Sequence, residues 1–187
     1  IRAHPDAGVI YSDEDKISED GIRFDPYFKP DYNYELLLGQ NLVSHLGVYR
    51  RSLLQEIGGF KKGMEGSQDH DLALRCIERL KPVQVIHIPK VLYHWRARRG
   101  STAASVDQKP YARTAGLRAI NEHLARTMPG ATAQAHPEAK NYYRVFFPLP
   151  DPAPGVSIII PTRNAYPLLH LCLTTLFEKT RYPNFEV

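Results

Sequence analysis

The sequence predicts an α/β fold, a mixed sheet flanked by helices, with a second βα unit opening near its C-terminal end. Three observations predict it. A short apolar strand, Gly8-Val9-Ile10-Tyr11, runs into the acidic stretch Ser12-Asp13-Glu14-Asp15. Helical patterns over 67–80 and 110–127 alternate with strand-like runs at 83–88 and 91–95. After a proline-rich stretch, a second apolar run at 156–160 leads into a helical pattern over 166–179.

The elements follow in order. The first strand should end at Tyr11 and deliver residues 12–15 at its C-terminal end, where ligands of open α/β sheets gather. Residues 16–31 hold Gly21, Pro26 and Pro30 and read as mostly loop. A short helix is expected over 34–38, a strand over 46–49, and a helix over 52–57 stopped by Gly58-Gly59. After a glycine-bounded loop, Ser67 is the expected N-cap, with Asp69 and Asp71 in the first turn, where negative charge suits the helix dipole. Leu72, Cys76 and Leu80 form an apolar stripe, and Asp69 falls at its N-terminal end, so it should point inward.

The runs at 83–88 and 91–95 read as two strands parted by Pro89-Lys90, followed by a basic loop over 96–105. In 110–127, Tyr111, Leu117, Ile120 and Leu124 supply an apolar face. These readings divide the chain into a first domain over 1–127, a Pro-rich linker with a short strand over 128–154, and the start of a second domain over 155–187. Pro148, Pro150, Pro152 and Pro154 make that linker semi-rigid. The expected strand at 156–160 should be buried.

Composition sets the outer bounds. A chain of 187 residues can hold one domain, or one and part of another, and 24% charged with 43% hydrophobic residues is an ordinary globular balance. No run is long enough to span a membrane, and no signal peptide is evident. The net charge of +4 and pI near 9.0 favour anionic partners. Only Arg96, Arg98 and Arg99 cluster, and no aromatic RNA-binding motif accompanies them, so nucleic acid is not an expected partner. Cys76 and Cys172 both fall in helical patterns, without a C-x-x-C pair. They are expected to be buried and unbridged, as in a reducing cytosol. The chain opens at Ile1 rather than Met and stops in mid-pattern at Val187, so it is expected to be a fragment.

Seven stretches carry a resemblance: YSDEDKI, DPYFKPDYNYELLLGQN, IGGF, GSQDHDLALR, HIPKVLYHWR, the GSTA that follows, and VSIIIPTRN. Together they resemble the family 2 glycosyltransferases of bacterial surface polysaccharide synthesis, which have the GT-A fold. The resemblance implies the C-terminal half of one GT-A domain followed by the first βα unit of another. The first domain's own S-I-I-I-P-T strand would lie upstream, with most of the nucleotide-base contacts, so the fragment alone should be inactive. One departure is Gln68-Asp69, where such enzymes commonly carry Glu-Asp.

The chemistry expected from these residues is glycosyl transfer from a nucleotide-diphospho-sugar. A divalent cation, manganese or magnesium, stabilises the leaving diphosphate, and hard cations prefer carboxylate oxygens. Asp13 and Asp15, two apart on a strand, would face the same way and serve as ligands. The competing reading is a solvated acidic turn. By resemblance, His94 would be a third ligand; otherwise it is a packed strand histidine. Asp69 is the candidate general base, taking the proton of an acceptor hydroxyl in an inverting displacement. The competing reading makes Asp69 and Asp71 helix caps, and Asp71 is assigned that structural part. Gln68 could bond sugar hydroxyls, and Trp95 either stacks on a sugar or fills the core. Arg96, Arg98 and Arg99 could grip the diphosphate, with Gly100-Ser101 letting the loop close over the donor. Thr162, Arg163 and Asn164 would meet a nucleotide in the second domain. An EF-hand over 13–21 fails, because Ile17 occupies a ligand position. Zinc on His87 and His94 lacks any supporting motif. The acceptor would be a glycan or lipid-linked saccharide, and the location cytoplasmic, at the inner face of the membrane where the acceptor is lipid-linked. A rival reading is a degenerate GT-A domain that binds glycan without transferring it.

Overall fold

The computed structural model describes residues 2–97, 110–140 and 142–187. They divide into two compact units, Ile1–Phe147 and Pro148–Val187. The fold is α/β, with sheets flanked by helices, as the alternation of periodicities predicts.

In the first unit the central strand is β1, Val9–Ile17. Along one edge it pairs antiparallel with β3, Gly47–Tyr49, and then with β2, Arg23–Tyr27. Along the other edge it pairs parallel with β4, Val85–Arg96. Three expectations are corrected here. First, β1 does not end at Tyr11; it carries Asp13, Glu14 and Asp15 inside the ladder, because each finds a cationic or imidazole partner. Second, part of the expected loop at 16–31 is β2. Gly21, at φ +82°, makes the turn into it. Pro26 is tolerated because β2 is paired on one side only among the described residues. Third, the two strands expected at 83–95 are one. Pro89-Lys90 is absorbed as a bulge, where the register steps from Ser12↔Ile88 to Asp13↔Val91.

The crossover that a parallel β1–β4 pair demands carries three helices: α1, Tyr34–Gly39; α2, Arg51–Glu56; and α3, Gln68–Ile77. Asn33 caps α1 by accepting from the Leu36 N–H at 2.7 Å. Gly58 and Gly59, both at positive φ, stop the chain after α2. Ser67 stands at the N-cap position of α3, but its hydroxyl donates instead to the Ala112 carbonyl at 2.7 Å. That bond ties α3 to α4, Pro110–Thr127.

Val9 and Tyr11 from the sheet, Leu37 and Leu38 of α1, Leu72, Leu74 and Cys76 of α3, and Ile120 and Leu124 of α4 share one buried core. Each such leucine contributes about 1.5–3 kcal/mol. The expected stripe holds for Leu72 and Cys76, while Tyr111 is exposed. Burial pushes the Cys76 thiol up to about 12. Beyond α4, β5 (Thr132–Ala135) and β6 (Tyr143–Phe146) form a hairpin that belongs to the first unit. Asn121 of α4 holds it through the Ala133 N–H and carbonyl, at 2.9 and 3.1 Å.

The second unit holds β7, Val156–Ser157, α5, Tyr166–Lys179, and β8, Phe185–Glu186. β7 and β8 pair in parallel. The strand expected to be buried over 156–160 is short, and Ile159 is 88% exposed. Cys172, expected to be buried, is also exposed. One helix and two two-residue strands enclose no interior of their own.

Gly116 of α4 tests how the hairpin is seated. A Cβ there would meet the Tyr143 hydroxyl of β6 and the Ser67 hydroxyl. Alanine normally gains about 1 kcal/mol over glycine inside a helix. Gly116→Ala should nevertheless lose about 1–3 kcal/mol, because overpacking outweighs propensity. Urea denaturation should show a lowered midpoint for Gly116→Ala and an unchanged one for Gly155→Ala, where an added Cβ would lie 3.8 Å from Asn184 Nδ2.

Candidate functional site

Three consecutive carboxylates in a buried strand need compensation, since isolated buried charge is costly. Each has a distinct solution. Asp13 Oδ1 accepts from the Lys29 backbone N–H at 2.9 Å and lies 2.8 Å from His87 Nε2. The His87 ring stacks on Tyr11, centroids 5.0 Å apart. Glu14 Oε2 accepts from the His45 N–H at 3.0 Å and lies 3.2 Å from His45 Nδ1 and 3.4 Å from Lys29 Nζ. Asp15 is gripped by Arg23 Nε at 2.6 Å and His94 Nδ1 at 2.5 Å.

Lys29 is the least expected member. Its side chain is 0% exposed, and its ammonium also donates to the Val43 and His45 carbonyls at 2.9 and 2.7 Å. Burial pulls its pKa down from the ordinary lysine value, and Glu14 works against that shift. For Glu14, burial favours the neutral acid, but hydrogen bonds from His45 and the charge of Lys29 outweigh it and lower its pKa. Burial also opposes the charge on Asp15, and the bonds from His94 and Arg23 likewise prevail.

The second acidic motif opens α3. Asp71 is buried and takes two donors of Arg75, Nε at 2.9 Å and Nη2 at 2.6 Å. Arg75 in turn holds the Ile57 and Gly59 carbonyls, so Asp71 anchors this ion pair and does not act as the expected helix cap. Asp69 is half-buried. Its Oδ2 accepts from Asn41 Nδ2 at 2.9 Å, and its Oδ1 accepts from the His70 N–H at 3.0 Å. Asn41 Oδ1 accepts from the Ser44 N–H at 3.1 Å, and the Ser44 hydroxyl lies 3.1 Å from His45 Nδ1. Residues 41–45 thus form a polar bridge from Asp69 to Glu14.

This arrangement joins the two motifs through Glu14 and His45. Asp15 and His94 come together, whereas Asp13 turns to His87 and Lys29. Among the described residues, no three His, Cys, Asp or Glu side chains cluster as a metal cage. The donor chemistry that fits a cation is the Asp15–His94 pair, one carboxylate and one imidazole, with Arg23 as the competitor for Oδ2. The carboxylate suits a hard cation such as magnesium or manganese, and the imidazole is the softer partner. Gln68 Oε1 is engaged by the Gly66 N–H at 2.7 Å. Arg96 is exposed at the end of β4. Arg98, Arg99 and Ser101 lie outside the described residues. Thr162, Arg163 and Asn164 are exposed in the second unit. A cavity of about 370 Å³ lies elsewhere, before the start of β1, walled by Asp6, Arg50, Glu56 and Arg79 among others. Its charged walls are surface groups, including an Arg79–Glu56 pair, and it touches none of the carboxylates above.

No family model matches the chain. It is 50% identical over 187 residues to Uncharacterized protein y4gI of Sinorhizobium fredii (strain NBRC 101917 / NGR234). It is 39% identical over 185 residues to O-antigen biosynthesis protein RfbC of Myxococcus xanthus. The chain spans 20% of the first relative and 14% of the second. Among the described residues, no helix is long and apolar enough to cross a membrane.

The ionised state of Glu14 and Asp15 sets an acid limit on stability. Both pKa values are lowered on folding, so their contribution is complete above the ordinary values of 4.5 and 3.8. It is lost as the pH falls through the lower folded values. Urea midpoints measured against pH should therefore drop on the acid side of 4.5. Glu14→Gln should be less stable at neutral pH and show a shallower acid limb. An identical acid limb would refute the lowered Glu14 pKa.

Proposed function

We propose that this chain is a glycosyltransferase module of polysaccharide biosynthesis, moving a sugar from a nucleotide-diphospho-sugar to a glycan or lipid-linked acceptor. The observation that carries this reading is the bridge from Asp69 through Asn41, Ser44 and His45 to Glu14. It links the opening of α3 to the acidic strand, two of the features that carry the resemblance to GT-A enzymes. The likeness to the Myxococcus protein named for O-antigen biosynthesis supports the same substrate class.

In this reading Asp69 accepts the proton of the acceptor hydroxyl as that oxygen attacks the anomeric carbon. Its Oδ2 is held by Asn41, which fixes the carboxylate's direction without supplying a proton of its own to the reaction. One base and one displacement invert the anomeric centre. Asp15 and His94 would hold manganese or magnesium, which would supply Lewis-acid stabilisation of the leaving diphosphate; Asp13, expected as a further ligand, is engaged by His87 and the Lys29 N–H. Arg23, whose side chain is about half exposed, would have to yield Oδ2 of Asp15 to the cation. Arg96, with Arg98, Arg99 and Ser101, binds the diphosphate, and Gln68 meets sugar hydroxyls with its amide N–H groups. Thr162, Arg163 and Asn164 serve a second nucleotide site. Lipid-linked acceptors would put the protein at the cytoplasmic face of the inner membrane.

The test is release of nucleoside diphosphate from nucleotide-sugar donors by the full-length protein with manganese. Asp69→Asn should lower kcat by about 10²–10⁴-fold, the usual worth of a positioned base. Asn41→Ala should cost about ten- to hundredfold, through misdirection of that base. Near-normal turnover in Asp69→Asn refutes its role. Manganese-independent glycan binding with no donor turnover favours the glycan-binding module, which Gln68 in place of glutamate would suit.

A further inference from the structure

The bridge leaves one group unexplained. His45 is drawn into an aromatic cluster on the sheet that the reaction above does not use. Its ring lies parallel to Tyr93, centroids 4.6 Å apart and planes 10° apart, and tilted against Trp95 at 4.9 Å. Tyr93 and Trp95 sit opposite Glu14 and Lys16 in the β1–β4 ladder. All three rings are only partly buried, and the His45 side chain is 30% exposed.

The imidazole is oriented by its neighbours. Nδ1 faces both the Glu14 carboxylate at 3.2 Å and the Ser44 hydroxyl at 3.1 Å; ionised Glu14 is an acceptor only, so in the neutral imidazole that pairing puts the proton on Nδ1, with the hydroxyl free to accept it as well. Nε2 is then an acceptor, and it has no hydrogen-bond partner among the described residues. Packing alone does not require this arrangement. A filler residue would not need a buried carboxylate to fix its tautomer, nor leave its second nitrogen open.

A partly exposed aromatic wall with one oriented acceptor suits a ligand with an apolar face and a hydroxyl edge. A pyranose has both: its C–H face lies against an aromatic ring and its O–H groups donate at the rim. A diphosphate is disfavoured beside Glu14, since like charges repel. The loop that holds His45 also holds Asp69 through Asn41, so the cluster is tied to the base of the proposed reaction.

We propose that His45, Tyr93 and Trp95, with Glu14 fixing the imidazole, form a saccharide-binding subsite for the acceptor, in which His45 Nε2 accepts a sugar hydroxyl. This rests on the polysaccharide reading above but not on catalysis. A binding measurement therefore separates the two: absence of turnover refutes the transferase reading, whereas absence of sugar binding refutes this one.

Trp95 is the single tryptophan of the chain, so its emission reports on the cluster directly. The purified chain is titrated with methyl pyranosides of glucose, galactose, mannose and N-acetylglucosamine, and separately with uridine and thymidine diphosphates. At least one pyranoside should shift or quench the emission in a saturable way, with a dissociation constant on the order of 1 mM or tighter. Any response to the diphosphates, which the proposed function places at Arg96 beside Trp95, should survive His45→Ala. His45→Ala and Tyr93→Leu should each weaken the pyranoside response roughly tenfold, the scale of a lost hydrogen bond or ring contact. Because the wild-type titration decides by itself, poor folding of a variant does not blunt the test. No response to any pyranoside, or a response to the nucleotides alone, overturns the proposal.

Discussion

The site depends on one buried ammonium. Lys29 Nζ lies inside an acidic strand, against Glu14 and the Val43 and His45 carbonyls, while the Lys29 N–H holds Asp13. Removing either charge of such a pair leaves the other stranded, at about 3–5 kcal/mol. One residue therefore keeps two of the three carboxylates in the ladder and pins the loop that reaches Asp69. A neutral filler could satisfy the packing, but it could not hold the carbonyls of 43 and 45 in place at the same time.

That anchoring makes the rest of the polar network directional. With Glu14 held, His45 has a defined face for Glu14 and another for Tyr93 and Trp95. With the loop held, Asn41 can bridge Ser44 and Asp69. Asp13 and Asp15 are assigned to imidazoles of β4, His87 and His94, so the long parallel strand serves as a second wall of partners. The buried charge is compensated locally, carboxylate by carboxylate, and the strand continues, with register shifts around Asp13 and between Glu14 and Lys16, through a sequence that reads as a strand end.

The legible and illegible parts of the sequence divide along a physical line. Features set by near neighbours were legible: the apolar stripe of α3, the α4 and α5 periodicities, and the glycine stop after α2. Features set by distant pairing were not. Lys29 lies 14 residues from Val43 and 15 from Glu14 along the chain, with no local motif to announce it. Asn41 and Asp69 are 28 apart. Pro89 signalled a break in β4, yet a bulge absorbs it, because the cost of a missing N–H depends on whether a partner strand needs it there. No motif around His87 gives it a role, and only the fold turns it towards Asp13. In the second unit, apolarity at 156–160 promised burial that the described residues do not supply.

The central claim is that Lys29 and Glu14 act as one unit. A double-mutant cycle measures this most directly: urea unfolding of wild type, Lys29→Met, Glu14→Gln and the pair. The account predicts strong non-additivity, with each single change costing far more than the second change adds, and a coupling of about 1–3 kcal/mol. Additive losses, with the double variant as unstable as the sum of the two singles, would contradict it.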